Sequence, residues 1–165
     1  MSAAHFFKSR FARIRTFVQR RIFHGHEVRS FRIEQVFLID RRSETLACHA
    51  LAPAVVARDK EQVAAMLSAI RAFVLSSFDS KDSERLGSLH FGQLEVIFEE
   101  NDNRTLAAVC RRPVPSDLRV RLDELLMRIE MQYEESLERL SATGDVSNMV
   151  GCDELIRDAL FKKSL

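Results

Sequence analysis

The spacing of apolar residues changes period several times along this chain, and each change marks an element. Over residues 28–40, Phe31, Ile33, Phe37 and Ile39 share one parity, while Val36 and Leu38 supply the other. A strand that is apolar on both faces near its end belongs in the middle of a sheet. Asp40-Arg41-Arg42-Ser43 is a polar turn, and Thr45 to Leu51 reads as a second strand closing a hairpin with the first. Residues 60–78 switch to helical spacing, with Val63, Met66, Leu67, Ile70, Phe73, Val74, Ser77 and Phe78 on one face. Asp59 is placed to cap that helix, with Gln62 three residues on. The polar tract from Asp79 to Ser83 ends it.

Three short strands follow, at 86–91, 94–99 and 105–111. Gly92-Gln93 and Asn101-Asp102-Asn103 are the turns between them. Pro113 and Pro115 stop the last strand, because proline cannot donate to a ladder. Ser116 then reads as the cap of a long helix to about Leu140, with Leu118, Leu122, Leu125, Leu126, Ile129, Tyr133, Leu137 and Leu140 as its stripe. Gly144 ends that region. Asp153 is expected to cap a last short helix carrying Leu155, Ile156, Leu160 and Phe161.

One more helix is expected before all of these, over residues 5–23. Phe7, Phe11, Ile14, Val18 and Ile22 recur along one stripe, and Phe6, Phe17 and Phe23 widen it. Gly25 suits a left-handed cap at its end. The expected fold class is therefore α+β: a five-stranded antiparallel sheet packed with two long amphipathic helices, plus the N-terminal helix. The chain divides at this level into a basic amphipathic segment (1–27), a main domain (28–141) and a tail with a short helix (142–165).

Composition narrows the class. The 165 residues are 46% apolar and 30% charged, a globular balance with enough chain for one sizeable core. With 3 prolines and 5 glycines, neither extensive disorder nor a turn-rich all-β fold is expected. No apolar run approaches the roughly 20 residues a membrane-spanning helix needs. The N-terminus mixes charges among its apolar residues, unlike a secretory signal. Cys48, Cys110 and Cys152 are odd in number and none forms a CxxC pair, which points to a reducing compartment and a cytoplasmic location.

A formal net charge of +1 conceals a split. Residues 1–32 carry a net +7 and the remainder a net −6. Such asymmetry speaks to partners rather than to fold.

The search for chemistry finds little. There is no GxxxxGK[ST], GxGxxG, GxSxG, HExxH or DxDxDG pattern. Glu99-Glu100 and Glu134-Glu135 are adjacent pairs whose side chains diverge on a strand or a helix, so a solvated surface is expected for both. Cys48 and His49 would face opposite sides of a strand and could not act on one another; a buried thiol and a solvent-side imidazole are expected. His24 and His26 lack the further ligands of a metal site, and His90 reads as an outward strand residue. No catalytic residue, metal or cofactor is expected, and the chain is not read as an enzyme.

The candidate site is the basic stripe itself: Phe7, Arg10, Phe11, Arg13, Ile14, Arg15, Val18, Arg20 and Arg21. Its apolar side could pack on its own domain or on a second copy, leaving the arginines wet. It could instead lie on an anionic membrane surface, placing the protein at the periphery of the inner membrane. Nucleic acid is the weakest reading, since the body is acidic and no recognition motif is present.

Several segments resemble a known family. RIEQVFLID, Arg32 to Asp40, is similar to the first strand of a roadblock/longin-like module found in large bacterial proteins that end in an outer-membrane-protein-A-like domain. That strand typically reads EQVFLI followed by a turn. AAMLSAIRAFVLSSF, Ala64 to Phe78, resembles the family's helix pattern MLTAI-x-x-FV-x-x-SF. The likeness continues through LGSLHFGQLEVIFEE, Leu86 to Glu100, and LAAVCRRPVPSDLRVRLDELL, Leu106 to Leu126, so that it covers roughly Arg32 to Leu140. The resemblance implies an α/β sandwich without known catalysis, working as a homo- or heterodimeric platform. Such platforms often regulate small GTPases or tether complexes at membranes. The chain departs from the larger proteins in lacking their long upstream helical region and their C-terminal domain, so no envelope-anchoring role is expected. The matching segments are core-forming, and no functional residue carries over from them.

Overall fold

The computed structural model describes residues 31–53, 55–56, 59–77 and 85–162. The expected helix at 5–23 and the basic stripe lie outside these residues. Within them, the chain forms β1 (Arg32–Asp40), β2 (Leu46–Leu51), α1 (Lys60–Ser77), β3 (Ser88–Phe91), β4 (Leu94–Glu100), β5 (Arg104–Arg111), α2 (Leu118–Gln132), α3 (Glu134–Thr143) and α4 (Cys152–Leu160). All five strands pair antiparallel, in the order β2-β1-β5-β4-β3, giving the α+β architecture expected from the pattern.

Helices cover both faces of the sheet. Under α1 lie Phe37, Ile39, Val96, Phe98, Ala107 and Val109, met by Ala64 and Leu67. On the opposite face Val36, Leu38, Ile97, Leu106, Ala108 and Cys110 meet Leu118, Leu122, Leu125 and Ile129 of α2. Alternate residues of β1 and β5 thus enter two cores, which is why these central strands read as apolar on both parities. Within residues 142–165, α4 adds Cys152, Ile156 and Leu160 to the α2-side core.

The shared parity of Phe31, Ile33, Phe37 and Ile39 does not survive in three dimensions. Ile33 pairs with Cys110, but Gln35 pairs with Val109, so Glu34 is an extra residue in the ladder. This bulge flips the first part of β1. Ile33 and Phe31 join the α2-side core, while Phe37 and Ile39 face α1.

The last long helix is broken. α2 ends at Gln132, Tyr133 adopts φ −118° and ψ 21°, and α3 starts at Glu134. The apolar period runs unbroken through Tyr133, so it gives no sign of the bend. The Tyr133 hydroxyl donates to the Val150 carbonyl at 3.1 Å, tying the break to the segment before α4. Caps also differ from expectation. Ser116 lies outside α2, whose N-cap is Asp117, without a side-chain capping bond. Asp153 sits inside the first turn of α4, where it pairs with Arg157 at 2.6 Å; the N-cap there is Gly151. Asp59 does cap α1, its Oδ1 accepting from the Gln62 N–H at 3.0 Å. Gly144 closes α3 in the left-handed conformation, φ 74°.

Candidate functional site

Phe7, Arg10, Phe11, Arg13, Ile14, Arg15, Val18, Arg20 and Arg21 lie outside the described residues. The described fold presents a different surface. On α1, only Ala64 and Leu67 are buried. Met66 and Phe73, both expected on the buried face, are 49% and 68% exposed. They stand seven residues apart, hence on one line of the helix. The physical reason is width. The apolar arc of α1 is broader than the strip that the sheet contacts, and the surplus flank faces outward. Half-buried Val63, Ile70 and Val74 grade between the two.

A second unpaired feature is the sheet edge. β3 pairs with β4 alone, leaving its outer edge without a strand partner among the described residues. Phe91 at its end is exposed. An exposed strand edge offers a row of backbone donors and acceptors to another chain.

Around these surfaces the charged residues are structural. Asp40 and Arg104 are register partners on β1 and β5 and form an ion pair at 2.6 Å. Asp40 also accepts from the Ser43 hydroxyl at 2.6 Å and the Ser141 hydroxyl at 2.8 Å. Burial pushes the Asp40 carboxyl up, but the Ser43 and Ser141 hydrogen bonds and the Arg104 charge outweigh it and hold the group below the usual range. Arg104 donates onward to the Leu137 carbonyl at 2.9 Å, anchoring α3. Glu100 is buried, contrary to the solvated-surface expectation for Glu99-Glu100. It takes Arg71 of α1, and it accepts from the Thr105 hydroxyl at 3.1 Å. Glu99 is half-buried, and burial followed by the Asp123 charge raises its carboxyl. Glu134 and Glu135 are exposed, as expected. Sequence reasoning missed Asp40, Glu100 and Arg104 because each sits at a strand end, where a charge reads as part of a turn.

The adjacent pair Cys48 and His49 does divide across β2. Cys48 lies in the α2-side core, where a hydrogen bond with Cys152 and burial push its thiol up. His49 is not simply solvent-side: its ring stacks on Phe37 with centroids 4.6 Å apart and bonds Gln35 at 3.1 Å. Burial lowers its pKa. His90 is outward, 3.6 Å from Glu95. Among the described residues no group of three or more His, Cys, Asp or Glu side chains could hold a metal ion. No helix among them is long and apolar enough to cross a membrane.

No family model matches the chain, and no curated protein matches it. Two solved structures that it resembles are both of the protein MglB. One, described as MglB with tetrameric arrangement, is 13% identical over 78% of this chain and 80% of its own, with a TM-score of 0.42. The other, the gliding protein MglB from Thermus thermophilus, is 14% identical over 67% of this chain and 76% of its own, with a TM-score of 0.41.

Proposed function

We propose that the chain is a non-catalytic protein-interaction module that works as a dimer and serves as an adaptor or regulator of a small GTPase. The observation that carries the dimer is the exposed line of Met66 and Phe73 on α1. Burying two large apolar side chains and the graded apolar flank beside them against a second copy removes their surface from water and lowers the free energy. Separately, the outer edge of β3, which has no strand partner among the described residues, offers backbone hydrogen bonding to another chain. The GTPase rests on the sequence resemblance across Arg32 to Leu140.

Light scattering on the eluting full chain tests the dimer. A dimer is expected for the parent and a monomer for Phe73→Glu, with unchanged far-ultraviolet circular dichroism. A monomeric parent at all accessible concentrations would sink the reading. The GTPase is tested by capturing partners from the native host with the parent chain and with Phe73→Glu as separate baits. A small GTPase retained by neither bait removes that part of the proposal.

A second reading has its own observation, the net +7 on residues 1–32. In it, the stripe at 5–23 binds anionic lipid and holds a cytoplasmic protein at the inner membrane. Vesicle flotation with and without residues 1–26 separates the two, since equal flotation removes the membrane reading.

A further inference from the structure

Three cations from separate elements converge on one groove. Arg32 opens β1, Arg121 lies near the start of α2, and Lys162 follows α4. With Phe31, Leu160 and Phe161 they line a cavity of about 340 Å³ whose wall has no acidic side chain among the described residues.

The local charges do not cancel. Glu34 is shared by two cations, Arg32 at 2.9 Å and Arg111 at 2.8 Å. Lys162 is matched by Asp158 at 2.7 Å. Arg121 donates to the Ala159 carbonyl at 3.3 Å and has no carboxylate within 4 Å among the described residues. A guanidinium has five N–H donors, so that contact leaves several free. The groove therefore joins an apolar floor to uncompensated positive charge.

We propose that this groove binds a medium-chain fatty acid. The acyl chain would lie on Phe31, Leu160 and Phe161, with the carboxylate on Arg121 and Arg32 beside it. Charge complementarity selects an anion, and the planar guanidinium suits a carboxylate. The volume is at the small end for ligand sites, which fits one short acyl chain and is too small for a two-chain lipid.

The test uses the full chain, titrated with octanoate, octanol and acetate and followed by amide chemical shifts and calorimetry. Octanoate is expected to bind with shifts at Ala159 and Phe161, and octanol and acetate each to bind far more weakly. Arg121→Gln should weaken octanoate about tenfold, the size of a lost charge-assisted hydrogen bond, without altering octanol. Arg32→Gln is the second variant, decisive should Arg121→Gln disturb the fold. Octanol binding as tightly as octanoate, octanoate affinity unchanged in the folded variants, or shifts confined to residues 5–23 would each overturn the proposal.

Discussion

Asp40 and Arg104 face each other across the two central strands at 2.6 Å, with side chains 0% and 4% exposed. A pair this deep is costly to assemble and more costly to break. Arg104→Met should destabilise the fold by about 3–5 kcal/mol, because it leaves Asp40 charged and buried. Replacing both residues with apolar ones should cost distinctly less. Urea unfolding of the three proteins measures this, and equal losses for the single and double variants would refute it.

Asp40 and Glu34 set a pH dependence. The folded Asp40 and Glu34 carboxyls sit below their ordinary values, so the unfolded chain binds more protons than the folded one in acid. Their stabilisation is complete above the unfolded carboxylate pKa and is lost as pH falls through the folded values. Stability should therefore drop from about pH 5 downward. Asp40→Asn should be less stable at neutral pH yet show a shallower acid slope. Urea midpoints across that range check it, and parallel slopes would disprove it.

Gly144 and Gly151, two of the three described glycines in the left-handed conformation, differ in what an added side chain would meet. At Gly144 an added Cβ meets nothing nearer than the Thr45 hydroxyl at 3.8 Å, so Gly144→Ala should cost only the backbone term, about 1–2 kcal/mol. At Gly151 it would stand 3.3 Å from the Tyr133 hydroxyl. Gly151→Ala should cost more and should also loosen the Tyr133–Val150 bond. Thermal melts of the two variants give the ranking.

The thiols should be silent. All three cysteines are free and buried. Burial, with the nearby charges of Glu95 and Glu34, pushes Cys110 up to about 12, and Cys48 is raised as well. Little thiolate exists at neutral pH. Labelling with an aromatic disulfide reagent should proceed at the rate of unfolding and reach three equivalents only in denaturant. Rapid labelling of the folded protein would show the core to be open.

The elements were legible in the sequence wherever one period governed a segment. β4 and the stripe of α2 appear where alternation and helical spacing place them. What escaped the pattern depends on partners distant in sequence. The bulge at Glu34 is fixed by its two arginines, one of them on β5. The break at Tyr133 accompanies a hydroxyl bond to Val150. Exposure of Met66 and Phe73 follows from how little of α1 the sheet covers, which no local pattern records. Burial of Glu100 needs Arg71, 29 residues away.

The strand order carries a consequence for synthesis. β5 is the last strand made, and it is the one that joins β1 to β4. Until Arg111 has left the ribosome, β1 and β4 each lack the neighbour that completes their ladders, and both wait for the same strand. Closure is then a long-range event that brings Arg32 onto Arg111 and Asp40 onto Arg104. Such non-local pairing is slow, so the newborn protein passes through an interval of sticky edges during which chaperones, or a sister chain on the same message, have first access to it.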